Sequence, residues 1–358
     1  MISTKTKVEI EVIKTQASRL SQVDFSNLPF GKIFSDHMFV MDYKDGKWQN
    51  PQVKPFGDFT FSPSISALHY GQSIFEGMKA YRNKNGEVFI FRPDMNQARM
   101  NHSAQRMCMP EIPQDLFSEA LATLIDLDRN WIPNDDGTSL YIRPFMFATD
   151  EFVGIRPSET YRFCIFTCPV GRYYSEPVRV RIEPFYSRAI EGGTGTVKAA
   201  GNYGGALYPA KQCQDAGFHQ LVWTDAKEHK YIEESGTMNV MFMIGDKIIT
   251  PALSGTILDG VTRNSIITVA KDWGITVEER KVSVDEVIAA AENGTLVDAW
   301  GAGTAATIAQ IKIIGYKDKK HELSDLETRP FTNKLMDYFD KYRRGLLEDK
   351  FGWRVKIG

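Results

Sequence analysis

Glu191-Gly-Gly-Thr-Gly-Thr-Val-Lys198-Ala-Ala-Gly-Asn-Tyr203-Gly-Gly205 crowds glycines around one lysine and one tyrosine. Glycine reaches positive φ without steric cost and lets a bulky ligand approach the backbone. A lysine there can hold a phosphate, or attack a carbonyl once its pKa is lowered. Taken alone, the stretch also reads as a surface loop with a solvated lysine. It is not a P-loop: Ala199 follows the lysine where Ser or Thr is needed, and no Gly-x-x-x-x-Gly-Lys spacing occurs.

Three further stretches carry the same ambiguity. Tyr231-Ile-Glu-Glu234-Ser-Gly-Thr237-Met-Asn-Val240 sets two acids at the edge of an apolar strand. Neighbouring strand positions face opposite ways, so only one of Glu233 and Glu234 is expected to point into a shared site. In Ile257-Leu258-Asp-Gly260-Val261-Thr262-Arg263, a glycine precedes a helix whose first N–H groups can cradle an anion. Trp300-Gly-Ala-Gly303-Thr304-Ala305 offers a hydroxyl and bare backbone donors after the strand Leu296–Trp300. Each is also an ordinary turn when read singly.

The chain has 358 residues, 42% of them apolar, enough for a large core and about two domains. Forty-three basic side chains against forty-five acidic ones give no basic excess for nucleic acid. The N-terminus does not resemble a signal peptide, and no apolar run suits a membrane span, so a cytoplasmic globular protein is expected. Histidines and cysteines show no metal spacing. Cys164 and Cys168 share one face of a strand, and all four cysteines are expected to be buried and reduced.

Periodicity predicts β-like runs at Val8–Ile13 and His37–Tyr43, then a helix from Pro93 through Arg106. A second helix starts near Pro113, with apolar spacing at Leu116, Phe117, Ala120, Leu121, Leu124 and Leu127. Strands follow at 140–143 and 161–168. Pro169–Pro177 is the expected domain boundary, dividing 1–172 from 173–358. Beyond it come a helix around 204–215, a hairpin over 237–250 and a helix over Thr262–Trp273 closed by Gly274. Ser283-Val-Asp-Glu286 reads as a reciprocal capping box opening another helix.

Together the features fit one chemistry: a lysine for an aldehyde, an acid for a pyridine nitrogen, and donors for a ring hydroxyl and a phosphate. Phe75-Glu-Gly-Met-Lys-Ala80, Phe91-Arg-Pro93 with Arg99, Tyr141-Ile-Arg143-Pro144, Lys198 with Asn202-Tyr203-Gly204, Glu234-Ser-Gly-Thr-Met-Asn239, Gly260-Val-Thr-Arg263 and Gly303-Thr304-Ala305 resemble the branched-chain aminotransferases. The match runs in order from about Leu28-Pro-Phe-Gly31 to Ala305. It implies an α+β, two-domain, fold type IV enzyme. In that fold a smaller N-terminal and a larger C-terminal domain hold pyridoxal 5′-phosphate between them.

The resemblance also implies roles. Lys198 corresponds to the lysine that carries the cofactor as a Schiff base and moves the Cα proton. Glu234 matches the acid at the pyridine nitrogen, and Tyr203 the donor to the phenolic oxygen. Arg99, the N–H groups of Val261 and Thr262, and Thr304 match phosphate ligands, with Arg188, Thr237 and Leu258 beside the cofactor. Phe30, Tyr70, Phe75, Tyr141, Val153, Ile155 and Tyr173 match the wall for branched side chains. Tyr70 and the 153–155 loop would come from the partner of a homodimer. Arg143 matches the cation for the distal carboxylate of glutamate, while Tyr141, Thr304 and Ala305 meet the α-carboxylate. Substrates would be amino acids and 2-oxo acids, with no metal. Mammalian members carry a Cys-x-x-Cys switch where this chain has Ala306 and Ala309, so no such switch is expected. Thr262 stands where relatives often have an apolar residue, and its hydroxyl could add a phosphate contact.

Within the fold, D-amino acid aminotransferases and aminodeoxychorismate lyases share the lysine and the acid. Phe75–Lys79 and Tyr141–Arg143 favour the branched-chain reading. A nucleotide-binding protein using Gly192–Gly195 lacks the Walker lysine spacing and a magnesium-binding acid. A non-catalytic cofactor-binding homologue is disfavoured because Lys198, Tyr203 and Glu234 are all present.

Overall fold

A computed structural model describes residues 9–174 and 176–358, so Val8, at the start of the first expected strand, lies outside the described residues. The chain separates into two compact units. One comprises the residues up to Gly171 together with Lys341–Gly358, the other Arg172–Asp340.

In the first unit the long antiparallel pair Ser139–Ala148 and Tyr161–Val170 forms the centre of a mixed sheet. Alternation sorts its faces. Phe163 and Ile165 enter the main core, whereas Cys164 and Cys168 lie on the opposite side with smaller apolar clusters. Helix Gln114–Leu127 follows the apolar spacing closely, burying Leu116, Phe117, Ala120, Leu121, Leu124 and Ile125 against that core. Helix Pro93–Arg106 begins on the expected proline, whose missing N–H costs nothing at a first turn. Of the strand expected near the N-terminus, Glu11–Val12 pairs with the strand Lys47–Pro55.

The C-terminal segment departs from the expected division. Arg354–Ile357 pairs antiparallel with Val88–Phe91, and Arg344 donates to the carbonyls of Arg82 (3.0 Å), Asp135 (2.7 Å) and Thr138 (2.8 Å). Residues 341–358 therefore belong to the first unit, not the second, and that unit is not the smaller one. Sheet pairing between segments so distant in sequence leaves no local trace.

In the second unit, Val178–Ile182 runs parallel to both neighbours, Gln220–Thr224 and Thr307–Tyr316. Tyr231–Ser235 pairs with Gln220–Thr224 on one side and with Met238–Ile244 on the other, and this closes the strand path on itself. Helix Val261–Asp272 begins one residue earlier than expected, and Gly274 adopts φ +76° after its end. The capping box forms only by half. The Ser283 hydroxyl accepts from the Glu286 N–H (3.1 Å), but the Glu286 carboxylate is taken by Arg280. A guanidinium offering two charged hydrogen bonds outcompetes one backbone N–H. The helix expected around 204–215 is two, Ala200–Gly204 and Leu207–Asp215.

Cysteines Cys164, Cys168 and Cys213 are buried thiols, and burial pushes Cys168 and Cys213 up to about 11. Cys108 is a correction: it is exposed, at φ +54°, in the turn that leaves helix Pro93–Arg106.

Candidate active site

In the second unit Lys198 lies just ahead of the short helix Ala200–Gly204, which carries Tyr203. The Lys198 Nζ donates to the Tyr203 hydroxyl at 2.8 Å. Asn202 braces the loop, donating to the carbonyls of Thr194 (2.8 Å) and Val197 (2.9 Å) and accepting from the Thr194 hydroxyl (2.6 Å). Gly195 explains part of the glycine content: a Cβ there would stand 2.6 Å from the Thr256 carbonyl oxygen. The lysine loop thus lies directly against the segment 254–260.

That segment is held from the strand Tyr231–Ser235 and its neighbour. Glu234 Oε1 accepts from the Leu258 N–H (2.8 Å), and Asn239 Nδ2 donates to the Leu258 carbonyl (2.9 Å). Glu234 and Asn239 are register partners, so one pair of residues grips the backbone of Leu258 on both sides of its Cα. Glu233 Oε1 accepts from the Thr256 hydroxyl (2.5 Å). Arg188 lies among these groups. Its Nε is 3.1 Å from Glu234 Oε2, and its Nη2 donates to the carbonyls of Gly195 (3.2 Å) and Thr256.

The expectation that only one of the two acids faces the site is overturned. Ile232 pairs with Thr224 and Ser235 with Val222, so Glu233 and Glu234 together oppose Trp223. The extra residue is a β-bulge, which breaks the strict alternation of faces. Both carboxyls are buried, and burial raises both pKa values. For Glu234 the chief opposing influence is Arg188, and for Glu233 it is the Thr256 hydroxyl.

Beyond Leu258, Gly260 leads into helix Val261–Asp272, whose N-terminus carries no side-chain cap. The first N–H groups of a helix have no intrahelical acceptor, so those of Val261 and Thr262 suit an anion. Arg263 fastens the helix start, donating to the Pro251 carbonyl (2.9 Å) and pairing with Glu279 (3.0 Å). Thr304 and Ala305 occupy the turn between Leu296–Gly303 and Thr307–Tyr316, closed by the Gly303–Thr307 pair. Thr237 is exposed in the turn after Gly236. Tyr173 is partly exposed and packs edge-on against Tyr174 at 4.8 Å.

In the first unit a second cluster forms. The Tyr141 ring meets Phe30 edge-on at 5.0 Å, and its hydroxyl accepts from Arg143 Nη2 at 3.0 Å. The Arg143 guanidinium lies 4.7 Å from the Phe75 ring centre, and its buried Nε has no hydrogen-bond partner among the described residues. Arg99 is engaged by Glu76 through two bonds, at 2.7 and 2.9 Å. Glu76 is fully buried and also accepts from Asn96 (2.7 Å). Glu76 and Asn239 lay in the motifs without an assigned role; only their partners in space give them one. Tyr70, Val153 and Ile155 are exposed, Ile155 at 92%. They lie near a bridge between Ile65 and Glu151, together with the exposed Leu68 and Phe152.

The residues of the second unit fit pyridoxal phosphate. A lysine amine hydrogen-bonded to a phenol, a buried carboxyl and an uncapped helix start lie on loops that Arg188 joins through Gly195, Thr256 and Glu234. Residues 73–314 match the amino-transferase class IV family. The chain is 42% identical to branched-chain-amino-acid aminotransferase 2 of Bacillus subtilis, over 99% of this chain and 98% of that protein. Among solved structures, the branched-chain amino acid aminotransferase of Escherichia coli superposes with a TM-score of 0.72 at 24% identity, covering 90% of this chain and 99% of that one. The enzyme of Thermobaculum terrenum, solved in its PLP form, gives 0.71 at 22% identity, covering 90% and 98%. These two likenesses bear on the fold. The chain is therefore a class IV aminotransferase of fold type IV. Within that class it belongs to the branched-chain amino acid aminotransferases.

Proposed function

We propose that this chain transfers the amino group between L-leucine, L-isoleucine or L-valine and 2-oxoglutarate, with pyridoxal phosphate held on Lys198. The observation that carries it is the 2.8 Å contact of Lys198 Nζ with the Tyr203 hydroxyl, beside a buried Glu234 fixed by Leu258 and Arg188. Bound there, pyridoxal phosphate supplies an electron sink for the pair left behind when the substrate Cα proton departs. Lys198 would hold the cofactor, and its Nζ would carry the Cα proton. Tyr203 orients Nζ and donates to the ring's phenolic oxygen. Glu234 keeps a proton on the ring nitrogen; a cation placed against it opposes the upward push of burial on its pKa. Val261, Thr262 and Thr304 would bind the phosphate through N–H and hydroxyl donors.

Phe30, Phe75 and Tyr141 of the first unit form an apolar wall for a branched side chain. Arg143, with an unsatisfied Nε, takes the distal carboxylate of glutamate. The exposed Leu68, Tyr70, Phe152, Val153 and Ile155 are an apolar surface suited to a second copy of the chain, as a homodimer requires. The test joins two measurements. Purified protein supplied with PLP should turn yellow, and borohydride should bleach it and fix the cofactor on Lys198. Steady-state assay with 2-oxoglutarate should prefer L-leucine or L-valine over D-alanine. A label elsewhere sinks the cofactor assignment; a D-alanine preference sinks the substrate assignment.

A further inference from the structure

Glu233 has no part in the chemistry above, yet the fold brings it into the same cluster. The bulge opposite Trp223 turns it toward the segment 254–260 beside Glu234. It is 7% exposed; one carboxylate oxygen takes the Thr256 hydroxyl, and Oε2 has no hydrogen-bond partner among the described residues. The carbonyl of that same Thr256 accepts from Arg188, whose Nε pairs with Glu234. The charged groups acting on the two acids are Arg188, Asp225 and Lys198, besides each other. One guanidinium thus serves two buried carboxyls, where charge acts over longer range than at a surface.

We propose that Glu233 is a positioning residue of the cofactor site, anchoring Thr256 and Arg188 and adding a second negative charge behind Glu234. The proposal rests on the reading of Lys198 and Glu234 as cofactor ligands. Bulges recur beside active sites, where the extra residue re-aims a side chain at the cost of a local break in the ladder. Here the gain is electrostatic. A second carboxylate favours the positive charge that the cofactor's ring and imine end carry when protonated. A glutamine at the same position keeps an oxygen for the Thr256 hydroxyl but removes the charge.

The experiment titrates PLP-loaded wild type and Glu233→Gln, following the pH midpoint of the visible band of the bound cofactor. The glutamine variant should move the midpoint to lower pH by about one unit. Thr256→Val, which frees the carboxylate but leaves its charge, should instead weaken PLP binding about tenfold with a smaller change in midpoint. An unmoved midpoint in Glu233→Gln, with normal PLP uptake, overturns the charge assigned to Glu233. Wild-type PLP affinity in Thr256→Val overturns the anchoring. Wild-type protein that takes up no PLP defeats the reading beneath both.

Discussion

Glu234 and Asn239 face each other across a two-residue turn and hold the N–H and the carbonyl of Leu258 between them. The acid proposed to face the ring nitrogen and the segment leading to the helix proposed to bind phosphate are thereby set at a fixed separation. Hydrogen bonds to the two peptide groups flanking Leu258 fix the orientation of this segment as well as its place.

Asn239→Ala should remove half of that grip. The Leu258 carbonyl would lose its partner in a partly buried setting, a cost of about 1 kcal/mol. PLP affinity should fall about tenfold, while affinity for pyridoxal, which lacks the phosphate, should change little. Equilibrium binding of both compounds checks this; equal losses for the two would show that the clamp does not act on the phosphate end.

Gly77→Ala should damage the substrate pocket with the second unit untouched. A Cβ at Gly77 would stand 2.1 Å from the Tyr141 hydroxyl, so the phenol must leave Arg143. We expect kcat/KM for leucine to fall by more than about tenfold. The visible band of bound cofactor should remain, and a kinetic assay beside an absorbance spectrum separates the two effects.

Lys79 should make the chain less stable in acid than in mild alkali. It is 8% exposed, and burial, reinforced by Arg343, lowers its pKa from 10.5 to about 7. Between about pH 7 and 10.5 the unfolded chain binds the extra proton, so stability rises with pH across that window. Below pH 7 both states are protonated and the full cost of the buried charge is felt. Lys79→Met should therefore stabilise the protein, on the order of 2–4 kcal/mol at pH 6 and much less at pH 10. Denaturant melts at the two pH values test it; an equal gain at both would exclude charge burial as the cause.

Thr307 closes the turn carrying Thr304 and Ala305 with φ +65°, a region that β-branched residues rarely enter. Thr307→Gly should relieve about 1 kcal/mol of backbone strain. The melting temperature should rise, provided the threonine side chain contributes less than that, and calorimetry of the two proteins gives the sign. A fall in melting temperature would mean that side-chain contacts outweigh the strain.

Several features were legible without coordinates because they depend on neighbours in the chain. Leu116, Phe117, Ala120, Leu121 and Leu124 mark a buried helix face by spacing alone, and Pro93 marks a helix start. The order of Lys198, Tyr203, Glu234, Gly260 and Thr304 points to one cofactor, because together they answer its aldehyde, ring hydroxyl, ring nitrogen and phosphate. The half-formed capping box at Ser283 was misread because Arg280, three residues earlier, offers Glu286 a stronger partner.

The amino-acid sequence by itself determined the chemical inventory: a lysine among glycines, a carboxyl, a phenol, a helix start, and an arginine beside aromatic residues. The tertiary structure alone decided how that inventory is wired. It paired residues 354–357 with 88–91, gave Glu76 to Arg99, and inserted the bulge that turns Glu233 toward Glu234. Spacing along the chain encodes which face a residue takes only while the period holds. A bulge shifts that period by one, and a long-range pair depends on a partner segment that local spacing cannot identify.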